Sequence, residues 1–430
     1  MSTQIYHPAA ILTAPDPMTL ECHEREYIVV EEGIIEGIYR ELPASFRHLP
    51  VEELEDCLLI PAFSDLHIHA SQFTERGTGM DLLLFDWLNE YTFPQEASFQ
   101  DVGYARKVYP QVIYELLKHG TMHAAFFTTI HYDACDLFWQ MLQESGMYAL
   151  SGKVNMDRNS PDYLCESTAD SLRDTERFLQ EHPSSEHLRA VLIPRFAPTC
   201  SEGLLKGLGE LSRKYKAGLH THLVESWAES AWTKELFPDY QTDGDIYDRL
   251  GLLGNGPAVF AHVIFPEERD LEVLKKYDAC SVHCPDATVN VTAGIMPLKK
   301  LQDQGLKIAL GTDIGGGHSP ALYTQAARSV QESKIKEFYE GEGDRISFRE
   351  AFYHATHEGG AVFGVTGQLK KGYRFNALAL NGLEDGAVRH TPQELLERFC
   401  YLGDDRRIVG RWLDGKKIDP EEIRERISRL

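Results

Sequence analysis

The sequence predicts an α/β protein built on a TIM-like (β/α)8 barrel, with a small composite β-sandwich domain formed by its N- and C-terminal segments. Three observations predict this fold. Eight short apolar runs of strand type alternate with segments of helical periodicity over roughly 250 residues, the order and length of a (β/α)8 barrel. Short strand-like runs precede and follow this region. Histidines and an aspartate lie near the ends of several central runs, where a barrel collects its functional side chains.

The predicted β domain begins in residues 1–60. This segment contains the runs IYHPAAILT, EYIVVEEGIIEGIYR and DCLLIPAF, which Gly and Pro separate and which lack a long helical period. The tail contains FNALALN and GRWLDGKKI, which again have the pattern of short strands. We expect the two segments to pair and to bring the termini together. The predicted divisions are therefore a barrel over residues 61–365 and a second part of the β domain over residues 366–430.

The predicted barrel starts with a strand at Pro61. Apolar residues then follow helical spacing from Ala105 to Leu117, Gly120 ends this helix, and Pro110 weakens it locally. The later strand-like runs are TMHAAFFTTI, YALSGKVNM, AVLIPRF, GLHTHLV, AVFAHVIF, ACSVHC and LKIALGTD. Together with the strand at Pro61, these seven runs give eight strands. Segments such as SEGLLKGLGELSRKYKAG and PEERDLEVLKKYD lie between them and have helical periodicity.

The composition favours a soluble protein that acts on a small, uncharged molecule. A chain of 430 residues with 43% hydrophobic content can bury a large core. The net charge of -23 offers no basic surface for phosphate contacts, so we expect neither nucleic acid nor an anionic membrane as a partner. The start MSTQIYHPAAILTAPDP lacks the basic and apolar regions of a signal peptide, and no apolar stretch approaches the roughly 18 residues of a spanning helix. We expect a cytoplasmic location.

The eight cysteines are scattered and form no C-x-x-C pair, so we expect them to be reduced. Cys280 and Cys284 lie close to His283 in the run ACSVHC. The alternation of this run indicates a strand, so we interpret both cysteines as core residues and not as a zinc ligand pair.

The segment PAFSDLHIH predicts half of a metal site. His67 and His69 are spaced i, i+2 at the end of an apolar strand and therefore face the same side. His222 in HTHLVE, His262 in FAHVIF and Asp313 in LGTDIGGG each lie near the end of a later apolar run. In a barrel these strand ends meet at one face, so the pattern predicts a zinc site in the barrel mouth.

Neutral imidazoles and a carboxylate form a donor set that suits Zn2+, with Fe2+ as the alternative. The predicted metal ligands are His67, His69, His222 and Asp313. A metal in such a site lowers the pKa of a bound water to about 7. Glu225 follows His222 by three residues, so its carboxylate can take the proton of that water and return it to a leaving group. His262 can orient the nucleophile or stabilise the addition intermediate.

Histidines outside this ordered pattern are interpreted as packing or surface residues. This group comprises His23, His119, His187 and His390. His220 points to the same side of its strand as His222, which leaves open whether it reaches the site.

These motifs resemble those of the amidohydrolase superfamily and, within it, of the guanine deaminase family, from about Pro61 to Gly372. The most specific stretch is HIHASQFTERGTGMDLLLFDWLNEYTFPQEASF, which is similar to that family's H-I-H-A-x-Q-[FY], G-T-G-x-D-L, W-L-N-x-Y-T-F-P and E-A-x-F elements. The stretches SGKVNMDRN, PRFAPTCSE and THLVES also agree. The resemblance implies zinc-dependent hydrolysis of guanine to xanthine and ammonia, with a purine base and water as the small-molecule partners, and it implies a homodimer.

The resemblance also implies residue roles. His67, His69, His222 and Asp313 would bind zinc. Glu225, His262 and Asp313 would be the catalytic residues. Gln72, Arg195 and Phe196 would hold the purine, and Glu225 and His262 would also contact it.

The chemistry of Arg195, Gln72 and Phe196 suits these roles. A guanidinium donates in a planar fork to a purine carbonyl such as O6, whereas adenine presents an amino donor there and would leave a buried charge unpaired. The Gln72 amide can donate and accept at the ring edge, and Phe196 offers an aromatic wall or a backbone contact. A salt bridge at the barrel rim is the alternative role for Arg195.

The resemblance also bears on the metal count. Two-metal relatives use a modified Lys at the end of strand four, where this chain has Arg195 and Phe196, so we expect one metal per subunit. Lys153, on the preceding strand, is interpreted as part of a structural pair or a rim contact.

Two departures from the family pattern leave the substrate open. Ala287 and Thr288 replace a usual Ser-Asn pair after strand seven, and Asn376 stands where an Asp is usual. The alternatives are therefore another aminated heterocycle, such as 8-oxoguanine or a triazine, or a ring-opening reaction on a cyclic amide, which the missing Lys disfavours. A catalytically silent scaffold is disfavoured because all ligands and Glu225 are present. Zinc deaminases with H-x-E and P-C-x-x-C are excluded because the chain has no such cysteine pair. The run from Phe73 to Phe99 is interpreted as either a lid or packing against the barrel.

Overall fold

The N-terminal segment forms five strands in the computed structural model, which describes residues 3–341, 343, 345–384 and 386–430. The strands are β1 Thr3–Asp16, β2 Thr19–Glu24, β3 Tyr27–Glu31, β4 Ile34–Tyr39 and β5 Glu52–Pro61. A two-residue turn joins β3 to β4, and both its residues, Glu32 and Gly33, have positive φ, of 51° and 82°. This is the turn geometry that matches the twist of a tight hairpin, and it favours glycine.

The barrel contains eight strand positions, as predicted, and the third is divided in two. The strands are β6 Phe63–His69, β7 Thr121–Phe127, β8 Tyr148–Gly152, β9 Val154–Asn155, β10 Leu188–Pro194, β11 Gly218–Leu223, β12 Ala258–His262, β13 Cys280–His283 and β14 Lys307–Leu310. Neighbouring strands pair in parallel, in chain order from β6 to β14. Two bonds join β6 to the segment after β14: Asp313 N–H donates to the His67 carbonyl at 2.8 Å, and His69 N–H donates to the Ile314 carbonyl at 2.7 Å. These bonds connect the first and last strands of the ring.

Helices follow the barrel strands. They are α1 Leu84–Trp87, α2 Phe93–Ala97, α3 Val102–Lys118, α4 Tyr132–Ser145, α5 Thr168–Glu181, α6 Glu202–Tyr215, α7 Trp227–Leu236, α8 Asp243–Arg249, α9 Glu268–Lys276, α10 Pro285–Asn290, α11 Leu298–Asp303, α12 Leu322–Glu340, α13 Phe348–Tyr353 and α14 Gly359–Ala361. The helix predicted before Gly120 is α3, and it contains Pro110 in its interior. Among the described residues, no helix is both long and apolar enough to span a membrane.

The C-terminal segment returns to the N-terminal strands, which confirms the composite β domain. Its elements are β15 Ala377–Leu380, α15 Pro392–Leu402, β16 Ile408–Leu413, β17 Lys416–Lys417 and α16 Pro420–Ile427. β15 pairs antiparallel with β5, so the strands of both termini form one sheet in the order β17-β16-β15-β5-β1-β3-β4, with β2 beside β1. Tyr6, Phe375 and Trp412 pack their rings together in the core of this domain.

The two C-terminal helices pack against the barrel. α15 contacts α12, and α16 contacts α3 and α4. The division of the chain at residues 60 and 365 stays a prediction.

All eight cysteines are free, as expected. Cys280 and Cys284 are buried.

Candidate active site

The predicted metal ligands meet at the carboxyl ends of the barrel strands. His67 and His69 lie on β6, His222 lies on β11, and Asp313 follows β14 by three residues. The two backbone bonds that connect β6 to the segment after β14 also hold Asp313 beside the two histidines. His262 is the last residue of β12. The structure therefore brings these five residues together, because parallel strands of one barrel end at the same face.

The backbone turns sharply at these strand ends. Val224, His262, Val263 and Asp313 have φ values of 47°, 74°, 49° and 48°, in the left-handed region that non-glycine residues rarely adopt. Such conformations cost about 1–3 kcal/mol each and are characteristic of functional sites. Here they occur at, or next to, residues that aim side chains into the barrel mouth.

Three separations between atoms of the predicted ligands are close to those around a tetrahedral metal ion. His69 Nε2 lies 3.1 Å from His222 Nε2. Asp313 Oδ1 lies 3.3 Å from His67 Nε2 and 3.4 Å from His69 Nε2. Ligand atoms about 2.1 Å from a tetrahedral ion are separated by about 3.4 Å. Two groups of side chains, His67–His69–Asp313 and His67–His222–His262, each bring their ligand atoms within 4.8 Å of one another, and they share His67.

The protonation of the imidazoles also fits a cation. His222 Nδ1 lies 2.6 Å from the Arg195 carbonyl and must donate to it, which leaves a lone pair on Nε2. His67 Nε2 is buried and has no hydrogen-bond partner among the described residues. Burial lowers the pKa of His67 to about 3 and the pKa values of His69 and His222 well below their usual range. Neutral nitrogens therefore point their lone pairs into one space.

The burial of the Asp313 carboxyl also favours a bound cation. Burial raises the pKa of its carboxyl well above the usual range, and Arg195 opposes this shift only in part. Because the surrounding imidazoles are neutral, they do not compensate a carboxylate charge. A bound divalent cation would, and three imidazoles with one carboxylate are a donor set for ions such as Zn2+.

His262 and Glu225 face the ligand cluster. His262 Nε2 lies 3.8 Å from Asp313 Oδ2 and 3.7 Å from Glu225 Oε2. Glu225 is buried, and its pKa is raised to about 8, first by burial and then by Asp313, whereas Arg195 lowers it. A carboxyl that titrates near neutral pH can both accept and return a proton. Its backbone N–H donates to Glu229 Oε2 at 2.8 Å, which fixes the start of the loop that carries it.

The cluster opens into a cavity whose empty space, including the part open to solvent, is about 560 Å3. Its polar side comprises His69, Gln72, Arg195, His222, Glu225, Glu229, His262 and Asp313. Its apolar side comprises Leu84, Phe85, Trp87, Leu88, Phe196 and Val291. Gln72, Arg195 and Phe196, which the resemblance assigns to the purine, thus all line the cavity beside the ligand cluster. The run from Phe73 to Phe99, interpreted as a lid or as packing, supplies four of the apolar wall residues through α1 and the turn after it.

One carboxylate joins the two polar recognition candidates. Gln72 Nε2 donates to Glu96 Oε1 at 2.7 Å, and Arg195 Nη1 donates to Glu96 Oε2 at 2.6 Å. The Gly315 N–H donates to Gln72 Oε1 at 3.2 Å. The side chains of Arg195 and Glu96 are each only 5% exposed. Arg195 is therefore both a buried ion-pair partner and a cavity residue, which combines the two roles that its sequence left open.

The sequence assigns no role to two polar residues of the site: Glu96, which lies within a family motif, and Glu229. His220, left open, contacts a ligand and not the cavity: its Nε2 lies 2.9 Å from His67 Nδ1. The alternation HTH was the available signal for His220, and the burial of Glu96 had no signal in the sequence. Lys153 pairs with Glu166, which is the first of the two roles predicted for it, a structural pair or a rim contact.

The chain belongs to the amidohydrolase family, whose model matches residues 58–418. Among solved structures it is similar to guanine deaminase from C. acetobutylicum with bound guanine in the active site, at 39% identity and a TM-score of 0.94 over 97% of this chain and 100% of that one. Guanine deaminase of Dictyostelium discoideum is 32% identical over 86% of this chain and 84% of its own length. Guanine deaminase of Rattus norvegicus is 32% identical over 88% of this chain and 86% of its own length.

Proposed function

We propose that the protein hydrolyses guanine to xanthine and ammonia. One observation carries this proposal: a metal-type cluster, a carboxyl group that titrates near neutral pH and a buried Arg–Glu–Gln network all face one cavity of about 560 Å3. Relatives at 32% identity and a structural neighbour at 39% identity, all guanine deaminases, support it. A reaction at C2 of guanine needs these three elements, namely a nucleophile, a proton carrier and oriented hydrogen bonds.

The base is held by Gln72, Arg195 and Phe196 in this proposal. Arg195 donates to the carbonyl at C6, and Gln72 contacts the polar edge of the ring. Phe196 and the α1 residues enclose the flat faces. This orientation directs C2 and its amine toward Glu225, His262 and Asp313.

The ligands His67, His69, His222 and Asp313 would hold one Zn2+ or Fe2+ ion. Such an ion, when bound, lowers the pKa of a water to about 7 and so supplies a nucleophile at neutral pH. His220 contacts His67 Nδ1, and the Arg195 carbonyl accepts from His222 Nδ1, so Nε2 is the atom of each imidazole that would bind an ion.

Glu225 moves the proton. Its carboxylate accepts a proton from the attacking water and gives it to the ring nitrogen as the C2–O bond forms. It then accepts the second proton, from the hydroxyl on C2, and gives it to the amine, so that the C2–N bond breaks, C2 becomes a carbonyl and the amine leaves as ammonia. Burial suits this role, because it brings the pKa of Glu225 to about 8, close to the working pH. His262 and Asp313 accept or donate hydrogen bonds on the other side of the water and fix its direction of attack.

The alternative substrates are 8-oxoguanine and triazines, because the departure at Ala287 and Thr288 lies close to the cavity. Both residues are in α10, whose following residue Val291 lines the cavity, and Ala287 Cβ would lie 3.4 Å from a Cβ added to Gly316, another lining residue. A change of shape there would alter which heterocycle fits. Ring opening of a cyclic amide is the less favoured alternative.

We also propose that the protein is a homodimer and that it is located in the cytoplasm. The resemblance to the guanine deaminase family supports the dimer. Eight free cysteines support a reducing compartment.

Ammonia release by the zinc-loaded protein tests the function. Guanine is offered beside 8-oxoguanine, a triazine, adenine and cytosine, and xanthine is identified as the product. We expect turnover of guanine at least 100-fold above that of the other compounds. Inactivity on guanine with turnover of another heterocycle would keep the mechanism and reject the substrate. Inactivity on all of them in a metal-replete protein would reject the function.

A further inference from the structure

Glu96 is buried next to the cavity and accepts hydrogen bonds from both Gln72 and Arg195. Its Oε1 accepts from Gln72 Nε2 at 2.7 Å and its Oε2 accepts from Arg195 Nη1 at 2.6 Å. Glu96 is 4% exposed. Gln72 and Arg195 line the cavity, whereas Glu96 is absent from the described residues that line it. A residue that touches both side chains without facing the cavity can orient them without contacting a ligand.

The carboxylate fixes which way the Gln72 amide faces. The two ends of an amide have similar shape but opposite hydrogen-bonding character. Here Nε2 faces the acceptor Glu96, and Oε1 faces the donor N–H of Gly315 at 3.2 Å. A flipped amide would place an oxygen against a carboxylate and an NH2 group against an N–H. Glu96 and Gly315 therefore leave only one orientation of Gln72 without repulsion.

The same carboxylate fixes the plane of Arg195. A guanidinium carries five donors in a rigid plane, and the bond from Nη1 to Glu96 uses one of them. The Phe93 ring lies 5.4 Å from Arg195 Cζ and restricts the guanidinium further. Glu96 and Phe93 both belong to α2, so one short helix supplies the charge and the ring that hold Arg195.

We propose that Glu96 is the positioning residue that sets base specificity, by holding Arg195 and the Gln72 amide in the one arrangement that reads the carbonyl at C6. This inference rests on the proposed function, because it assigns Arg195 and Gln72 to the base. Glu96 would then determine the discrimination between purines with and without a carbonyl at C6, although it does not contact the base. The effect of losing Glu96 is therefore selective for bases that carry the carbonyl.

The test compares two bases that lack the 2-amino group and cannot be deaminated there. Hypoxanthine carries the carbonyl at C6, and purine does not. Inhibition constants of both are measured against guanine turnover in the wild-type protein and in Glu96→Gln. We expect the variant to weaken hypoxanthine at least tenfold, equivalent to about 1.4 kcal/mol, and purine less than threefold. The KM for guanine rises at least tenfold, while kcat falls less than threefold.

Glu75→Gln is the matched control. Glu75 is buried in the same segment, and burial raises its pKa to about 8. Its side chain lies within the electrostatic field of Glu96 and Arg195 but makes no hydrogen bond to Arg195 or Gln72 within the described part of the chain, so it does not hold either of them in place. We expect the ratio of the two inhibition constants to stay within twofold of wild type in this variant. Metal content and circular dichroism are measured for both variants.

The inference is supported if Glu96→Gln weakens the binding of hypoxanthine selectively and Glu75→Gln does not. Equal losses for both bases, or the same selective loss in the control, overturn it. If Glu96→Gln does not fold, Glu96→Asp replaces it, because a shorter carboxylate keeps the charge and cannot span both partners; it must show the same selectivity. A wild-type protein that does not turn over guanine rejects the proposed function, and with it this inference.

Discussion

Replacing Glu225 by glutamine is the most direct test of the proposed chemistry. Glutamine has the size of the native side chain, so the cavity and the metal ligands keep their shape. The backbone bond from residue 225 to Glu229 is also retained, because it involves the main-chain N–H of that residue. What is lost is a carboxyl whose pKa burial raises to about 8, and with it the ability to take and return a proton near neutral pH.

The size of the effect follows from this role. A positioned general acid or base contributes about 10^2 to 10^4 in rate, and each factor of ten corresponds to about 1.4 kcal/mol in the barrier. We therefore expect Glu225→Gln to lower kcat for guanine by about 10^2 to 10^4, equivalent to about 3–5 kcal/mol. The KM should change far less than kcat, because Gln72, Arg195 and Phe196 remain in place and the amide of glutamine can still form a hydrogen bond with the base.

Steady-state ammonia release at pH 7.5 measures this effect, with metal content determined on the same samples. Glu229→Gln serves as a comparison, since Glu229 is buried and lines the same cavity but can still accept the backbone bond as an amide. We expect it to lose less than tenfold in kcat. A loss below tenfold in Glu225→Gln with full metal content would refute the assignment of Glu225 as the proton carrier.

Three further predictions concern stability. Removal of metal with a chelator should lower the melting temperature and zinc should restore it, because an ion at 1,000 times its Kd stabilises the folded state by about 4 kcal/mol; an unchanged transition would argue against the site. The Asp414 hydrogen bond raises the pKa of His187. This contribution is complete below the unfolded pKa of about 6.5 and is lost as pH rises through the folded value, so His187→Gln should lower the urea midpoint more at pH 6 than at pH 8.5. Trp412 is 1% exposed against Tyr6 and Phe375, and Trp412→Ala should cost about 3–5 kcal/mol in urea unfolding, whereas a loss below 1 kcal/mol would contradict this packing.

The ligand cluster was predictable because its information is local. A strand places residues i and i+2 on one side, and the carboxyl ends of barrel strands converge, so His67, His69, His222 and Asp313 could be grouped from three separate segments. The eight strands were predictable for the same reason, since each is a short apolar run between helical segments. The return of the tail to the β domain followed from short strands after the last barrel helix, and β15 does pair with β5.

The positioning contacts were not predictable, because they depend on distances between side chains far apart in the chain. Glu96 and Arg195 are 99 residues apart, and His67 and His220 are 153 residues apart. Glu96 lies in a short helix without a periodic pattern that marks a buried acid. The role proposed for it depends on the contact between Glu96 in α2 and Arg195, the residue after β10, and tertiary packing alone determines that contact.

Arg195 connects the metal site and the proposed base site through two different groups, and this separation can be tested. Its backbone carbonyl accepts from His222 Nδ1 at 2.6 Å, whereas its guanidinium pairs with Glu96. A side-chain substitution therefore removes only the second interaction. We expect Arg195→Gln to retain the full metal content and to raise the KM for guanine about 10- to 100-fold, since a hydrogen bond from a charged group contributes about 1.5–3 kcal/mol. Metal analysis and steady-state kinetics on one preparation measure both effects. Loss of metal in this variant would show that the guanidinium, and not the backbone, supports His222, and the two functions of Arg195 would then be inseparable.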